Sequence, residues 1–239
     1  MSGGHAQSRK AGVVYLVGRL RSNGTFVPTT PLQGADFGAE FYASQTVLGP
    51  GDERIIMADL GGGVQSLPRA ITLNADHSLN FQPAAALSLA KHRVGTAFAL
   101  KGARVAAGAL KALDIPTSFF GALDLTVTVK PAADGSAGQP GVVLRGGLTL
   151  TVDFATPFPT GNGRSMRTLS IAAGRFRTTI AVVDTFRVIV DETTVEVFGS
   201  ATPASFVWKT TNTSAALLGP GVFGVSAHQV APARVTSYA

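Results

Sequence analysis

From Gly95 onward the chain repeats one pattern: short apolar runs, evenly spaced and separated by turn residues. The clearest run is Leu123-Asp124-Leu125-Thr126-Val127-Thr128-Val129, which alternates apolar and polar side chains with period two. Such alternation turns one face toward a core and the other toward water, the signature of a half-buried strand. Strands are expected at 123–129, 142–144, 148–154, 175–182, 186–190, 194–198, 205–209 and 221–227. Turn signals lie between them at Asp134-Gly135, Gly161-Asn162-Gly163, Gly199-Ser200 and Gly219-Pro220. About eight short strands at regular spacing predict a β-sandwich over residues 94–239.

The first part of the chain is also β but differently organised. Residues 1–10 are polar and read as a disordered tail. Strands are expected at 13–18, 26–27, 41–48 and 54–60, with Asn23-Gly24 as a hairpin turn and Gly49-Pro50-Gly51-Asp52 as a second turn. Four consecutive antiparallel strands would make one sheet of the kind that forms a propeller blade. Gly61-Gly62-Gly63 interrupts the pattern; without GxxxxGKS/T or a strand–GxGxxG–helix context it reads as a loop rather than a phosphate cradle. Strands resume at 70–73 and 79–81, and the Ala/Leu-rich stretch 83–93 reads as a short helix or linker with Pro83 at its start. The expected organisation is a tail (1–10), a partial propeller with its linker (11–93) and a sandwich (94–239). The expected fold class is therefore all-β, a partial β-propeller blade followed by a β-sandwich.

Composition narrows the chemistry. Hydrophobic residues make up 45% of the 239, so the chain can bury a core. There is no cysteine, which removes disulfides, thiol nucleophiles and Cys-ligated metals. The net charge is +6, but the cations are scattered without interleaved aromatics, and a nucleic-acid partner is not expected. No run of 18 apolar residues predicts a membrane-spanning helix, and the N-terminus shows no secretory signal pattern. Two glycosylation sequons, at Asn23 and Asn212, read as chance matches without export, and no compartment is assigned.

Candidate chemistry is sparse. The four histidines, His5, His77, His92 and His228, lack metal-ligand spacing, so no metal site or cofactor is expected. No G-x-S-x-G elbow is present. Trp208 is the single tryptophan, which disfavours an open sugar-stacking face. No self-contained active site emerges, and no catalytic residue is assigned.

Three segments carry a resemblance. The first is Asp36-Phe37-Gly38-Ala39-Glu40-Phe41-Tyr42-Ala43-Ser44-Gln45-Thr46, followed by Arg54-Ile55-Ile56-Met57. The second is Ser66-Leu67-Pro68-Arg69 with its following strand. The third is the hairpin Phe186-Arg187-Val188-Ile189-Val190-Asp191-Glu192-Thr193-Thr194-Val195-Glu196-Val197-Phe198. Their order and spacing resemble the C-terminal half of glycoside hydrolase family 32, the invertases, inulinases and fructan hydrolases. The resemblance implies the last blade of a five-bladed propeller followed by its sandwich. It implies hydrolysis of terminal β-D-fructofuranosyl bonds, with sucrose or a fructan as ligand, and Asp36, Phe37, Tyr42 and Gln45 near the sugar. Arg69 is expected to pair a carboxylate between propeller and sandwich, and Asp191 and Glu196 to serve a turn and strand pairing.

The departures matter as much. The family's nucleophile lies in Asn-Asp-Pro, its transition-state stabiliser in Arg-Asp-Pro, and its acid/base Glu precedes Cys; none of these occurs here. A retaining glycosidase needs both carboxyl groups. The family's tryptophans beside the sugar are replaced by Ala58 and by Gly62-Gly63-Val64. The expectation is a truncated or degenerate β-fructofuranosidase-like protein, or else a non-catalytic sandwich for oligomerisation or glycan contact, or one piece of a longer or split fructosidase. A lone blade would leave apolar surface over 11–60, which the sandwich, a second copy or a partner chain would cover.

Overall fold

The computed structural model describes residues 12–38, 40–85, 93–115, 122–131, 138–144, 147–158, 166–191, 193–199, 203–207 and 215–230. Among them the regular structure is β, apart from a 3₁₀ turn at Pro50–Asp52 and 3₁₀ conformation at Ala85. The fold is all-β, as the alternation predicts.

The first part begins with four short strands: β1 (Val14–Tyr15), β2 (Gly18–Leu20), β3 (Phe26–Pro28) and β4 (Gln33–Gly34). β1 pairs with β4 and β2 with β3. Asn23-Gly24 makes the β2–β3 turn, with Gly24 at φ 82° and Asn23 Oδ1 accepting from Thr25 N at 3.0 Å. The next four strands, β5 (Tyr42–Leu48), β6 (Arg54–Asp59), β7 (Arg69–Leu73) and β8 (Leu79–Pro83), form one antiparallel sheet in that order.

This corrects the expected sheet. The run at 13–18 is split between two small pairings, and the four-stranded sheet lies one hairpin further along, over 42–83. Pro28 ends β3 and Pro31 lies three residues on, and neither has an N–H to extend the hairpin into a larger sheet. Tyr15 instead ties β1 sideways: its hydroxyl donates to Gln33 Oε1 and accepts from Leu79 N. Gly61, Gly62 and Gly63 carry three successive positive φ values of 89°, 65° and 81°, which only glycine adopts without strain. The glycine run is thus a tight return, with Leu60 N bonded to Val64 O at 2.8 Å. The core of this part joins Ala35, Phe41, Ile56, Ala58, Leu60 and Phe81.

Twelve further strands follow: β9 (Arg93–Val105), β10 (Leu110–Leu113), β11 (Ala122–Lys130), β12 (Gly141–Leu144), β13 (Leu148–Phe158), β14 (Met166–Ala173), β15 (Phe176–Val182), β16 (Thr185–Asp191), β17 (Thr194–Phe198), β18 (Pro203–Val207), β19 (Ala215–Leu218) and β20 (Gly221–Val230). They form two six-stranded antiparallel sheets, ordered β10-β19-β12-β13-β14-β15 and β18-β17-β16-β11-β20-β9. Alternate residues of both, such as Leu123, Leu125 and Val127 from one and Leu148, Leu150 and Val152 from the other, share a single core. That is a β-sandwich.

Four of these strands, β9, β10, β14 and β19, were not expected from the sequence. Their alanines, with two glycines in β9, lower intrinsic strand preference, and they become strands because neighbours supply ladder partners. Pro83 closes β8 rather than opening a helix, and Arg93 opens β9. Residues 86–92, the rest of that expected helix or linker, lie outside the described residues, as do the tail, His5, His92, Trp208 and Asn212.

Candidate functional site

The most concentrated chemistry lies where the four-stranded sheet meets the sandwich. Arg69, the first residue of β7, is completely buried. Its Nη1 donates to Asp36 Oδ2 at 2.7 Å and its Nε to Glu196 Oε2 at 3.0 Å, with Nη2 on the same Glu196 oxygen. Both carboxylate side chains are only 1% exposed. Phe41 and Phe198 flank the guanidinium, with ring centroids 4.4 and 5.4 Å from its carbon. Asp36 Oδ1 accepts from Gly38 N at 2.6 Å, and Glu196 Oε1 accepts from Leu67 N. Gln82 Nε2 adds a bond to Gly199 O at 3.0 Å.

The expected pairing of Arg69 across the two parts is what the structure shows. Glu196 does more than pair strands: it is the sandwich's anchor on the blade. A charged residue inside the apolar run Val195-Glu196-Val197-Phe198 is the sequence signal for a buried ion pair, but the run does not say with whom. Burial opposes the Arg69 charge, yet Glu196 and Asp36 outweigh it and hold the guanidinium above its usual range. Burial pushes the Glu196 carboxyl up, and Arg69 with the Leu67 N–H offsets only part of that.

The four residues singled out from sequence are divided. Asp36 sits in this seam, and Phe37 packs against the sandwich core. Tyr42 and Gln45 lie on β5, exposed, with the Tyr42 side chain 59% accessible. A bulge separates them, with the register shifting between Tyr42–Asp59 and Gln45–Met57 and Ala43 at φ 46°. A left-handed alanine re-aims the strand at that point. Asp191 ends β16, with its carbonyl accepting from Thr194 Oγ1 at 3.0 Å. Among the described residues no three metal-ligating side chains cluster, and no helix is long and apolar enough to cross a membrane.

A second cluster was not anticipated. Asp124 on β11 is 1% exposed in its side chain and receives Arg187 Nε and Nη2 at 2.7 Å each and Arg93 Nη2 at 3.2 Å. Burial would raise its pKa, but the two arginines outweigh burial and hold it below the usual carboxylate range. His228, opposite Asp124 on β20, is held below its usual value by burial and by Arg93.

Residues 1–83 match the family model described as the glycosyl hydrolases family 32 N-terminal domain. The whole fold is also similar to solved family 32 enzymes. Fructan 1-exohydrolase IIa from Cichorium intybus aligns with a TM-score of 0.69 at 15% identity, over 91% of this chain and 55% of that one. The family 32 β-fructofuranosidase of Bombyx mori aligns with a TM-score of 0.68 at 15% identity, over 95% and 48%. Sucrose-6-phosphate hydrolase from Lactobacillus gasseri gives 0.67 at 15% identity, over 91% and 47%. The chain thus spans about half the length of these relatives. At such identity the likeness establishes a family 32 fructosidase-like fold. No curated protein matches the chain in sequence.

Proposed function

We propose that the chain is a degenerate relative of the β-fructofuranosidases, carrying the closing blade and the sandwich of that fold and not hydrolysing fructosides by itself. The family activity to which it relates is hydrolysis of terminal β-D-fructofuranosyl bonds in sucrose or fructans. The observation that carries this reading is the commitment of its buried carboxylates. Asp36, Asp124 and Glu196 are the buried carboxylates among the described residues, and each is bonded to arginine. A retaining glycosidase instead sets two carboxyl groups roughly 5–5.5 Å apart across a substrate cleft. The family's Asn-Asp-Pro and Arg-Asp-Pro elements are absent from the sequence as well.

A second reading has its own support: the chain is one piece of a longer or split fructosidase. Large apolar side chains are exposed along 14–48, among them Leu20 at 72%, Leu32, Val47 and Leu48. Further propeller blades would cover them, as the greater length of the solved relatives suggests.

The test is release of fructose from sucrose and inulin by the purified chain beside an active fructosidase. No release is expected. Release that disappears in an Asp36→Asn or Glu40→Gln variant of unchanged thermal midpoint would overturn the first reading. If the chain gains activity when mixed with a polypeptide carrying the missing propeller motifs, the second reading replaces it.

A further inference from the structure

The solvent side of β16, β11, β20 and β9 carries cations and hydroxyls on one sheet face. Its inward residues, Leu123, Leu125, Val127 and Val129 on β11 with Phe223 and Val225 on β20, belong to the core. The alternating residues therefore form the outer face. The ladder places Lys130, Val222 and Arg104 on one cross-strand row, so two cations stand two strands apart, roughly 9.6 Å. Lys101 lies beside them at the β9 bulge. All three are exposed, and among the described residues none has an ion-pair partner. Further along the same face, Arg93 and Arg187 outnumber the single Asp124 they hold, and their side chains stay 36% and 28% exposed. Asp184 and Asp191 flank the two ends of β16, so the acids sit at the margins.

Between the cations the surface is flat and hydroxylated. Thr128 and Thr185 share a hydrogen bond of 2.9 Å, and Thr126 opposes Ser226. Gly224 opposes Thr128 and adds no side chain to the surface. Among the described residues of these four strands, the His228 imidazole is the one aromatic ring on the outer face, beside Asp124, while Phe98, Phe186 and Phe223 turn to the core. Single-stranded nucleic acid is held by stacking bases on aromatic rings, and duplexes by an element entering a groove. Insertion into a lipid surface needs apolar wedges. Beyond the single His228 imidazole, this face supplies none of the three. It offers fixed cations for anionic groups and hydroxyls for sugar hydroxyls.

We propose that this face binds an acidic polysaccharide, a linear glycan bearing carboxylates or sulfates. The inference goes beyond the fructosidase reading and does not rest on it, since neutral fructans carry no charge for these cations to recognise. Binding is electrostatic and weakens with salt.

The probe is polygalacturonate, with inulin, single-stranded DNA and phosphatidylserine vesicles as comparisons, at about 50 mM salt. The face variant K101Q/R104Q/K130Q is set against R19Q/R21Q/R54Q, which removes the same charge from exposed sites on the blade. The expected result is polygalacturonate binding that weakens about tenfold or more in the face variant and less than about twofold in the blade variant. Lys101 and Lys130 of the unmodified chain are also expected to be shielded from acetylation by polygalacturonate. Equal weakening in both variants, no shielding, or tighter binding to DNA or to vesicles overturns the proposal. Inulin hydrolysis, tested separately, bears only on the fructosidase reading.

Discussion

Two arginine–carboxylate clusters each draw a buried carboxylate from the same sandwich sheet, Glu196 in one and Asp124 in the other, with opposite stoichiometry. At the seam, one fully buried arginine stands between two carboxylates. Two strands away, one buried carboxylate stands between two half-exposed arginines. A single cross-strand row links them, running His228, Asp124, Ile189, Glu196. Both satisfy a buried charge, but by different means. Arg69 has no water to turn to, so its donors are met by Asp36 and Glu196 and its faces by Phe41 and Phe198. Arg93 and Arg187 keep contact with solvent, so only Asp124 depends on the protein. The first cluster therefore couples two parts of the molecule, and the second organises one surface within a single sheet.

Breaking the seam should have the largest effect. An Arg69→Met change keeps the volume but leaves Asp36 and Glu196 buried without their cation, a loss of about 3–5 kcal/mol. Chemical denaturation would show it, and a loss below about 1 kcal/mol would mean the seam is wetter than the structure shows. Asp124→Asn should be milder, about 1–3 kcal/mol, because the arginines left behind can hydrate.

The two clusters should also respond to acid with opposite signs. Asp124 is held below its ordinary value, so its contribution is present above about pH 3.9 and lost as pH falls through its folded value. Glu196 is pushed above its ordinary value, so the folded state holds that proton more tightly. Its contribution weakens as pH rises from about 4.3 through the folded value. Denaturation midpoints across that range should rise less steeply at the acid end in Asp124→Asn. In Glu196→Gln the decline above about pH 4.3 should flatten. Identical profiles for the two variants would show that the clusters titrate as one.

The smallest effect is expected on β5. Tyr42→Ala removes an exposed ring and should shift stability by no more than about 0.5 kcal/mol. A larger loss in the thermal midpoint would place Tyr42 in an interface that the isolated chain completes with a second copy.

Part of this is legible in the sequence. Period-two alternation in 123–129 marks a half-buried strand, Asn23-Gly24 marks a hairpin, and the Ser66-Leu67-Pro68-Arg69 segment points to Arg69 as an ion-pair partner between the two parts. Four strands are not legible in the sequence because alanine-containing segments such as Ala215–Leu218 carry little strand preference of their own. The sequence neighbours of Asp36 resemble an element beside the sugar, but they do not show that its side chain bonds to Arg69 in the seam, while Tyr42, six positions on, is open to solvent.

What the order of residues settles here is local: the strand period, the turns that need glycine, and the all-β class, because each depends on a few adjacent side chains and backbone angles. Which charges meet is not local. Arg69 and Glu196 are 127 positions apart, and Asp36 and Arg69 are 33 apart. Their pairing exists only once the blade is laid on the sandwich and water is excluded between them. Only the tertiary structure decides that, because a carboxylate's role follows from its solvation and its neighbours rather than from the letters beside it.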